Sequence, residues 1–354
     1  MYTLNDYSYN TPNPTDISAE NAWHVRDTFV LTLYMMTTIV ALFGNCLVCR
    51  VVMKSAKMRT TINLLIVNMA FSDIICALTI PLQWLLCWEQ LLDTYSHLYI
   101  GCAIAKSVQV LSFYVSSLTF TAIAIDRYIV VHYPIKKINP KIFISIVWII
   151  SLLFVILTAV SVKIFTYNLT TDPIIKCRVV LRFQFPFSSD ILRHVRIIGV
   201  ISTQYVFPVI ISVLLYAKTV HKIWMRNVGD MIEVQKNTLD QHKRRTIKML
   251  IIVVVVYAIC WLPVNIIYVI DFYGNRLSAG GCNASTLFLL VYWFGISSCC
   301  YNPFIFWWLN EDFRAGAQSF WNYMTCSFIR RRKDRISSTS SVNTLVKRNS
   351  MNVF

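Results

Sequence analysis

The feature of this sequence that most constrains its fold is a series of seven long apolar runs. They cover approximately residues 28–53, 61–86, 99–132, 141–163, 194–226, 242–272 and 285–309. Each run is long enough to cross about 30 Å of hydrocarbon as a helix, and none alternates as the strands of a membrane barrel do. The runs predict an all-α membrane protein, a bundle of seven transmembrane helices.

Composition supports this prediction. Apolar residues make up 56% of the chain and charged residues 14%, whereas soluble domains carry about 25% charge. The composition excludes a disordered chain, a collagen-like fibre and a small disulfide-rich domain. Around the seven spans of 28–309 we expect an N-terminal segment (1–27), a short amphipathic helix on the membrane surface (310–323) and a tail (324–354). The third span carries several Ser and Thr residues and a Gln, so we expect it at the centre of the bundle.

Charge distribution predicts the orientation. The net charge is +16, and 24 of the 33 Lys and Arg residues fall on one side if the N-terminus is outside. Such asymmetry follows the positive-inside rule and gives a multi-pass plasma-membrane protein with a cytoplasmic tail. The excess charge therefore does not indicate a nucleic-acid partner. Two Asn-x-Ser/Thr sequons, at Asn168 and Asn283, fall on the outer side as predicted glycosylation sites.

Enzyme chemistry has no recognisable set of residues in this sequence. The nine glycines form no phosphate-binding loop, no Gly-x-Ser-x-Gly motif occurs, and the six histidines lie near or beyond the ends of the spans. We therefore expect no catalytic residues. A transporter remains a remote alternative, because the two halves of the chain show no internal repeat.

Asp73 lies deep in the second span, where an isolated carboxylate needs a partner, an ion or a proton. Asn45, Ser116 and Asn302 occur at similar depth in other spans. Oxygen ligands of this kind suit a hard cation, so these residues form a candidate site for an allosteric sodium ion. The alternative is a protonated, hydrogen-bonded Asp73. We expect no other cofactor.

Several short motifs occur in order along the spans. The third span ends in Asp126-Arg127-Tyr128, and Pro208 interrupts the fifth. Proline also interrupts the sixth span, in Trp261-Leu262-Pro263, and the seventh, in Asn302-Pro303; each removes a backbone hydrogen bond and supplies a hinge. Together with Gly44-Asn45, Asp73 and Trp148, these motifs resemble those of the rhodopsin-like (class A) G-protein-coupled receptor family, over roughly residues 29–326.

The resemblance implies a receptor that passes agonist binding to a heterotrimeric G protein by outward movement of the sixth helix. It assigns roles in activation and coupling to Asp126, Arg127, Tyr128, Tyr216, Trp261, Pro263, Asn302 and Pro303. It also implies a disulfide between Cys102 and Cys177, while a second bridge between Cys87 and Cys282 stays open. Cys326 is a candidate palmitoylation site. A Ser/Thr cluster at 337–341 in the tail suits a receptor kinase and arrestin, and the basic inner face suits G protein or membrane lipid.

The ligand class also rests on resemblance. Gln109 stands where amine receptors carry an aspartate, and Ile296 stands where light receptors carry the retinal lysine. The sequence around the third, sixth and seventh spans resembles the neuropeptide Y, neuropeptide F and tachykinin receptors, which implies a peptide ligand; a non-peptide ligand is the alternative. The candidate ligand-binding residues are Gln83, Trp84, Lys106, Gln109, Phe113, Gln204, Asn265, Tyr268, Asp271 and Tyr292.

Some positions depart from the family pattern. Phe306 stands where the family carries a tyrosine, so Tyr216 should lack its usual phenol partner. Tyr257 stands where phenylalanine is usual. Lys243 stands where some members place an acid facing Arg127, so that particular lock between helices should be absent.

Overall fold

The computed structural model describes residues 14–88, 95–133, 139–159, 162–168, 173–179, 195, 197–229, 234–272 and 286–322. Within these ranges it describes the side chains of residues 25–56, 58–82, 104–133, 139–156, 195, 197–225, 244–270 and 286–322.

The described chain is almost entirely helical. The first four spans are α1 (Pro14–Lys54), α2 (Thr61–Trp88), α3 (Tyr95–His132) and α4 (Pro140–Ala159). The fifth span consists of helical residues 197–201, a π-helical turn (Ser202–Val206) and α5 (Phe207–Gly229). The sixth is α6 (Val234–Phe272), and the seventh is divided into α7 (Thr286–Ile296) and α8 (Ser298–Leu309). A final helix, α9, covers 311–322.

Six of these spans, within the described ranges, are long and apolar enough to cross a membrane, with α7 and α8 together forming one of them. The apolar stretch of α4, Pro140–Ile156, is shorter, but the whole helix has 20 residues and rises about 30 Å, enough to cross the hydrocarbon. The predicted all-α bundle is therefore present.

Helix α3 occupies the centre, as its polar residues predict. It contacts α2, α4, α5 and α6, and 67% of its most apolar segment is buried, against 17% for that of the fifth span. The outer faces of α4 and α5 carry exposed apolar side chains such as Ile149 and Leu214. Because a lipid-facing surface must be apolar, these faces suit contact with acyl chains.

Several boundaries differ from the sequence prediction, and three of them show why. Helix α1 begins at Pro14 rather than near residue 28, because the helix continues beyond its apolar part and proline suits a first helical turn. Helix α6 likewise begins at Val234, ahead of its apolar run. Helix α4 ends at Ala159 rather than at Lys163, because the chain then enters a β-strand.

That strand belongs to a hairpin that the sequence analysis did not predict. Strand β1 (Val162–Asn168) pairs antiparallel with β2 (Pro173–Val179), from Val162 opposite Val179 to Asn168 opposite Pro173. The hairpin lies in the connection between the fourth and fifth spans, so a sheet edge stands at the predicted outer mouth of the bundle.

The seventh span is interrupted at Ser297, whose carbonyl takes part in a tight turn instead of an α-helical bond. The amide of Cys300 donates to the carbonyl of Ser297 at 2.9 Å, three residues earlier. Pro303 lies one turn further on and has no N–H for the carbonyl of Cys299. Asn45 of α1 supplies the missing donor, since its Nδ2 lies 2.9 Å from that oxygen.

Helix α9 follows the seventh span directly, as predicted for 310–323. The side chain of Asn310 accepts a hydrogen bond from the amide of Phe313 at 3.1 Å and caps the helix. Phe313 and Ala317 are buried, while Trp321 is exposed. One apolar face against the bundle and one exposed face fit a helix on the membrane surface.

Candidate functional site

The buried carboxylate of Asp73 is the centre of a polar cluster between α2, α3 and α8. Its Oδ1 accepts from the hydroxyl of Ser116 at 3.0 Å, and its Oδ2 accepts from Nδ2 of Asn302 at 2.8 Å. The hydroxyl of Ser72 lies 2.6 Å from that of Ser116 and extends the cluster. The structure thus brings together three of the four residues that the sequence places at this depth.

Asn45, the fourth candidate for the sodium site, bonds through its amide nitrogen to two backbone carbonyls. Its Nδ2 donates to the carbonyls of Ala41 and Cys299, both at 2.9 Å, and no bond to Asp73 is found in the described part of the chain. Asn45 therefore joins α1 to the break in the seventh span. Its Oδ1 is buried and has no hydrogen-bond partner among the described residues, so its assignment as a sodium ligand stays a prediction.

A small cavity lies beside Asp73. Its volume is about 30 Å³, and its lining includes Asp73, Ser116, Trp261, Ser298 and Asn302. A cavity needs about 10–15 Å³ of such space to hold one water molecule, so this cavity is large enough for a small hydrated guest. The carboxylate and hydroxyl oxygens are ligands of the kind that a hard monovalent cation accepts, so the donor set fits sodium.

Trp261 connects this cavity to the outer half of the bundle. Its Nε1 donates to the hydroxyl of Ser298 at 3.1 Å, and its ring meets that of Phe113 edge-on with centroids 4.5 Å apart. Pro263 lies within α6 two residues further on. A displacement of Trp261 would therefore change the packing both at the Pro263 hinge and beside Asp73.

Above Trp261, an amide–phenol pair links α3 to α7. The hydroxyl of Tyr292 donates to Oε1 of Gln109 at 2.8 Å, and Gln109 is 2% exposed. One turn further out, Nδ2 of Asn265 donates to the carbonyl of Trp261 at 2.8 Å. These bonds use one end of each amide; Gln109 Nε2 and Asn265 Oδ1 have no hydrogen-bond partner among the residues described.

Aromatic rings form one wall of the same region. The ring of Phe288 stacks on Tyr292 with centroids 5.7 Å apart and meets Tyr268 edge-on at 6.2 Å. Phe288 was missed by the sequence analysis, although it lies four residues before Tyr292 and so on the same face of the helix. The structure thus gathers Gln109, Tyr268 and Tyr292 with this added ring.

The other ligand candidates are placed as follows. The side chain of Lys106 is partly buried in α3, and Gln204 is buried in the π-helical turn. Gln83, Trp84 and Asp271 lie on described helices, but their side chains are outside the described part of the structure. Their contact with a ligand remains a prediction.

At the opposite end of α3, Arg127 forms an ion pair with its neighbour Asp126. The ring of Tyr128 stacks on His132 with centroids 4.1 Å apart. The hydroxyl of Tyr216 is buried and has no hydrogen-bond partner among the described residues. The lone phenol is what the replacement of tyrosine by Phe306 leads us to expect.

An ion pair that the sequence analysis missed joins the inner end of α6 to α9. Arg245 bonds to Glu311 across the gap between the sixth span and the surface helix. Both side chains are partly exposed, at 35% and 48%. Two opposite charges 66 residues apart give no local signal, so only the packing of α9 could reveal the pair.

The predicted covalent features lie outside the described side chains. Cys102 and Cys177 are on α3 and β2, where only the backbone is described, with Cys177 opposite Ile164 in the hairpin. Asn168 ends β1, and its side chain is likewise not described; Asn283 and Cys326 fall outside the described residues. The disulfide, glycosylation and palmitoylation sites stay predictions.

Comparison with known proteins supplies the family. Residues 44–306 match the 7 transmembrane receptor (rhodopsin family). The chain is 28% identical over 353 residues to a RYamide receptor of Drosophila melanogaster, and this alignment covers 95% of this chain and 74% of the relative. It is 28% identical to a RYamide receptor of Tribolium castaneum, over 81% of this chain and 78% of the relative.

A third relative is the neuromedin-K receptor of Mus musculus, 30% identical over 84% of this chain and 63% of the relative. These matches agree with the seven-span bundle. They confirm that the protein is a multi-pass membrane receptor and not an enzyme. The chain belongs to the rhodopsin family of seven-transmembrane receptors.

Proposed function

We propose that this protein is a receptor for a neuropeptide with a C-terminal carboxamide and that it signals through a heterotrimeric G protein. The curated relatives are receptors named for RYamide and for neuromedin K. Their names support a peptide ligand for this chain.

The observation that supports the proposal is a pair of side-chain amides on the outer side of Trp261, each with only one of its two polar ends hydrogen-bonded. Gln109 has its carbonyl oxygen engaged by Tyr292 and can still donate from Nε2. Asn265 has its Nδ2 engaged by a backbone carbonyl and can still accept at Oδ1. A primary carboxamide offers one acceptor oxygen and an N–H donor, and so complements both groups.

A carboxylate would suit this pair less well. A carboxylate has acceptors only, so it could bond to Gln109 but would face Oδ1 of Asn265 without a proton between them. Buried polar groups left unpaired cost about 1–3 kcal/mol. The site should therefore discriminate a peptide amide from the same peptide as its free acid.

The experiment is a screen of amidated neuropeptides on cells that express the receptor, with calcium and cyclic-AMP readouts. RYamide and neuromedin K belong in the panel, and each active peptide is tested again as its free acid. We expect the amide to be at least about tenfold more potent, since 1.4 kcal/mol corresponds to a factor of ten. Equal potency of the two forms would refute the carboxamide assignment.

A matched pair of variants locates the discrimination. Gln109→Glu removes the donor at the site and should reduce the potency of the amide. Asn63→Asp makes the same amide-to-acid change in the first turn of α2, where Nδ2 of Asn63 donates to the carbonyl of Met58 at 2.7 Å. It should leave the amide-to-acid ratio unchanged, and a ratio that changes in both variants would count against the site.

The finer interactions belong to the same proposal. The inner ends of α3, α5 and α6 receive the G protein, while receptor kinase and arrestin act on the tail and anionic lipid binds the basic margins. The N-terminus lies outside the cell, as Lys and Arg asymmetry indicates. Antibody staining of an N-terminal epitope on intact cells tests this orientation, and staining that requires permeabilisation would reverse it.

A sodium ion beside Asp73 is part of the same proposal. The charge of Asp73, the hydroxyl of Ser116 and the nearby cavity supply a site that suits one small cation. Sodium would regulate the receptor only if it binds one conformation more tightly than the other. Because the cavity is bounded by Trp261 and Asn302, which lie at the two hinges, movement of either hinge would alter the site.

A further inference from the structure

A buried hydrogen bond ties the sixth span to the fifth. The hydroxyl of Tyr257 in α6 donates to the backbone carbonyl of Gln204 at 3.1 Å. Tyr257 and Gln204 are both 8% exposed, so water does not readily replace either partner. The bond is the kind of buried polar contact whose loss leaves a group unsatisfied.

The carbonyl of Gln204 is available because of Pro208. In a helix, a carbonyl accepts from the N–H four residues later, and for Gln204 that residue is proline, which has none. The π-helical turn Ser202–Val206 marks the same irregularity. Tyr257 therefore does for Pro208 what Asn45 does for Pro303: a side chain from another span supplies the donor that proline lacks.

A second phenol between the same two spans provides an internal comparison. The hydroxyl of Tyr205 donates to the carbonyl of Ala258 at 2.9 Å. Four residues after Ala258 comes Leu262, which has an N–H, so this carbonyl does not depend on the phenol. Tyr205 is also only partly buried. The sixth span donates in the first bond and the fifth span donates in the second. Loss of the Tyr257 bond should cost more free energy than loss of the Tyr205 bond.

The bonds are seen with the inner end of the sixth span packed against the bundle. Ile247, Met249 and Leu250, near that end, are 5%, 1% and 2% exposed. Tyr257 lies between this packed segment and the hinge at Pro263. Any outward movement of the inner segment about Pro263 therefore displaces Tyr257 as well.

The geometry sets the sensitivity of the bond to that movement. Tyr257 is six residues from Pro263, about 9 Å along the helix, and Ile247 is sixteen residues away, about 24 Å. A hydrogen bond of 3.1 Å is lost on lengthening by about 0.5–1 Å. By proportion, a movement of about 1–3 Å at the inner end, in a direction away from the fifth span, suffices to break it.

We infer that the phenol of Tyr257 is a latch that holds the inner half of the sixth span closed. Opening would strip the carbonyl of Gln204 of its donor, and Pro208 offers no replacement. The latch is a feature of this chain, since the family usually carries phenylalanine at the position of Tyr257. The inference rests on the proposed function in one respect: opening of this face is the step that admits the G protein.

The test measures opening directly and needs neither agonist nor G protein. Spin labels are placed on purified receptor at Lys248→Cys and Lys141→Cys, two exposed positions on α6 and α4, with tail Cys326 and the exposed Cys46 replaced by Ser. The distance distribution is compared for the parent, Tyr257→Phe and Tyr205→Phe. Phenylalanine keeps the ring and removes only the hydroxyl, so the fold should be retained.

We expect Tyr257→Phe to raise the ratio of long to short distances about threefold to tenfold, the effect of one net hydrogen bond. Tyr205→Phe should change it less than about twofold, because the carbonyl of Ala258 keeps a helical donor. An unchanged distribution in Tyr257→Phe, or an equal shift in both variants, would overturn the inference.

A double-mutant cycle tests the physical cause. Pro208→Ala restores an N–H that can reach the carbonyl of Gln204, so in that background Tyr257→Phe should have less than about half of its effect in logarithmic units. A full effect in the Pro208→Ala background would contradict the role given to proline. Because the readout is a distance in the isolated protein, failure of the latch is distinguishable from failure of the peptide or G-protein assignment.

Discussion

Gly44 allows α1 to approach the seventh span at Pro303, and adding a methyl group there should destabilise the bundle. A Cβ at Gly44 would lie 2.8 Å from Cγ and 2.9 Å from Cβ of Pro303. Favourable carbon contacts lie at about 3.5–4.0 Å, so the two helices would have to separate by about 0.7–1 Å. A proline ring has no rotamer by which to move aside.

The magnitude follows from two opposing terms. Overpacking of this kind costs about 1–3 kcal/mol, while alanine in place of glycine favours a helix by up to about 1 kcal/mol. Gly199, in the fifth span, provides the matched control, because a Cβ there would have no atom within 4 Å. Gly199→Ala retains the helix-propensity gain without the clash, so the difference between the two variants isolates the clash.

Thermal unfolding of purified receptor, followed by tryptophan fluorescence at one fixed scan rate, measures the difference. We expect Gly44→Ala to unfold about 2–12 °C below Gly199→Ala, taking about 2–4 °C per kcal/mol for a large domain. The fixed rate matters because unfolding of such a protein is commonly irreversible. If Gly44→Ala is as stable as Gly199→Ala, the close approach at Pro303 does not determine helix packing and the reasoning fails.

Three further predictions concern polar contacts. Asp73→Asn should abolish any decrease in agonist affinity on raising sodium, as measured by agonist binding with potassium as the matched salt; equal sodium sensitivity in variant and parent would exclude the site. Glu311→Arg should raise ligand-free signalling by less than about fivefold, because a partly exposed ion pair is worth about 0–1 kcal/mol, and adding Arg245→Glu should reverse it; no reversal would mean that the pair does not hold the sixth span. Asn68→Ala should lower stability by about 1–3 kcal/mol, since Asn68 accepts from Trp148 at 2.9 Å and also bonds to α3, and an unchanged unfolding temperature would show that this contact is dispensable.

Much of the architecture follows from the sequence alone. Seven apolar runs, each long enough to cross a bilayer, can satisfy their backbone groups there only as helices, whatever their neighbours. The central position of α3 follows from the same rule, because its polar residues must avoid lipid. A buried carboxylate such as Asp73 also needs hydrogen-bond partners, and Ser116 and Asn302 were predicted because few polar groups occur at its depth.

The pairing of individual groups was decided only by the tertiary structure. Proline positions in the sequence reveal which carbonyls lose a donor, Gln204 and Cys299 among them, but not which side chain replaces it. Asn45 donates to the carbonyl of Cys299 and not to Asp73, and Tyr257 donates to the carbonyl of Gln204. Helical periodicity defines the face on which a residue lies, whereas its partner depends on the vertical register and rotation of two separate helices, and these are fixed by the packing of the whole bundle.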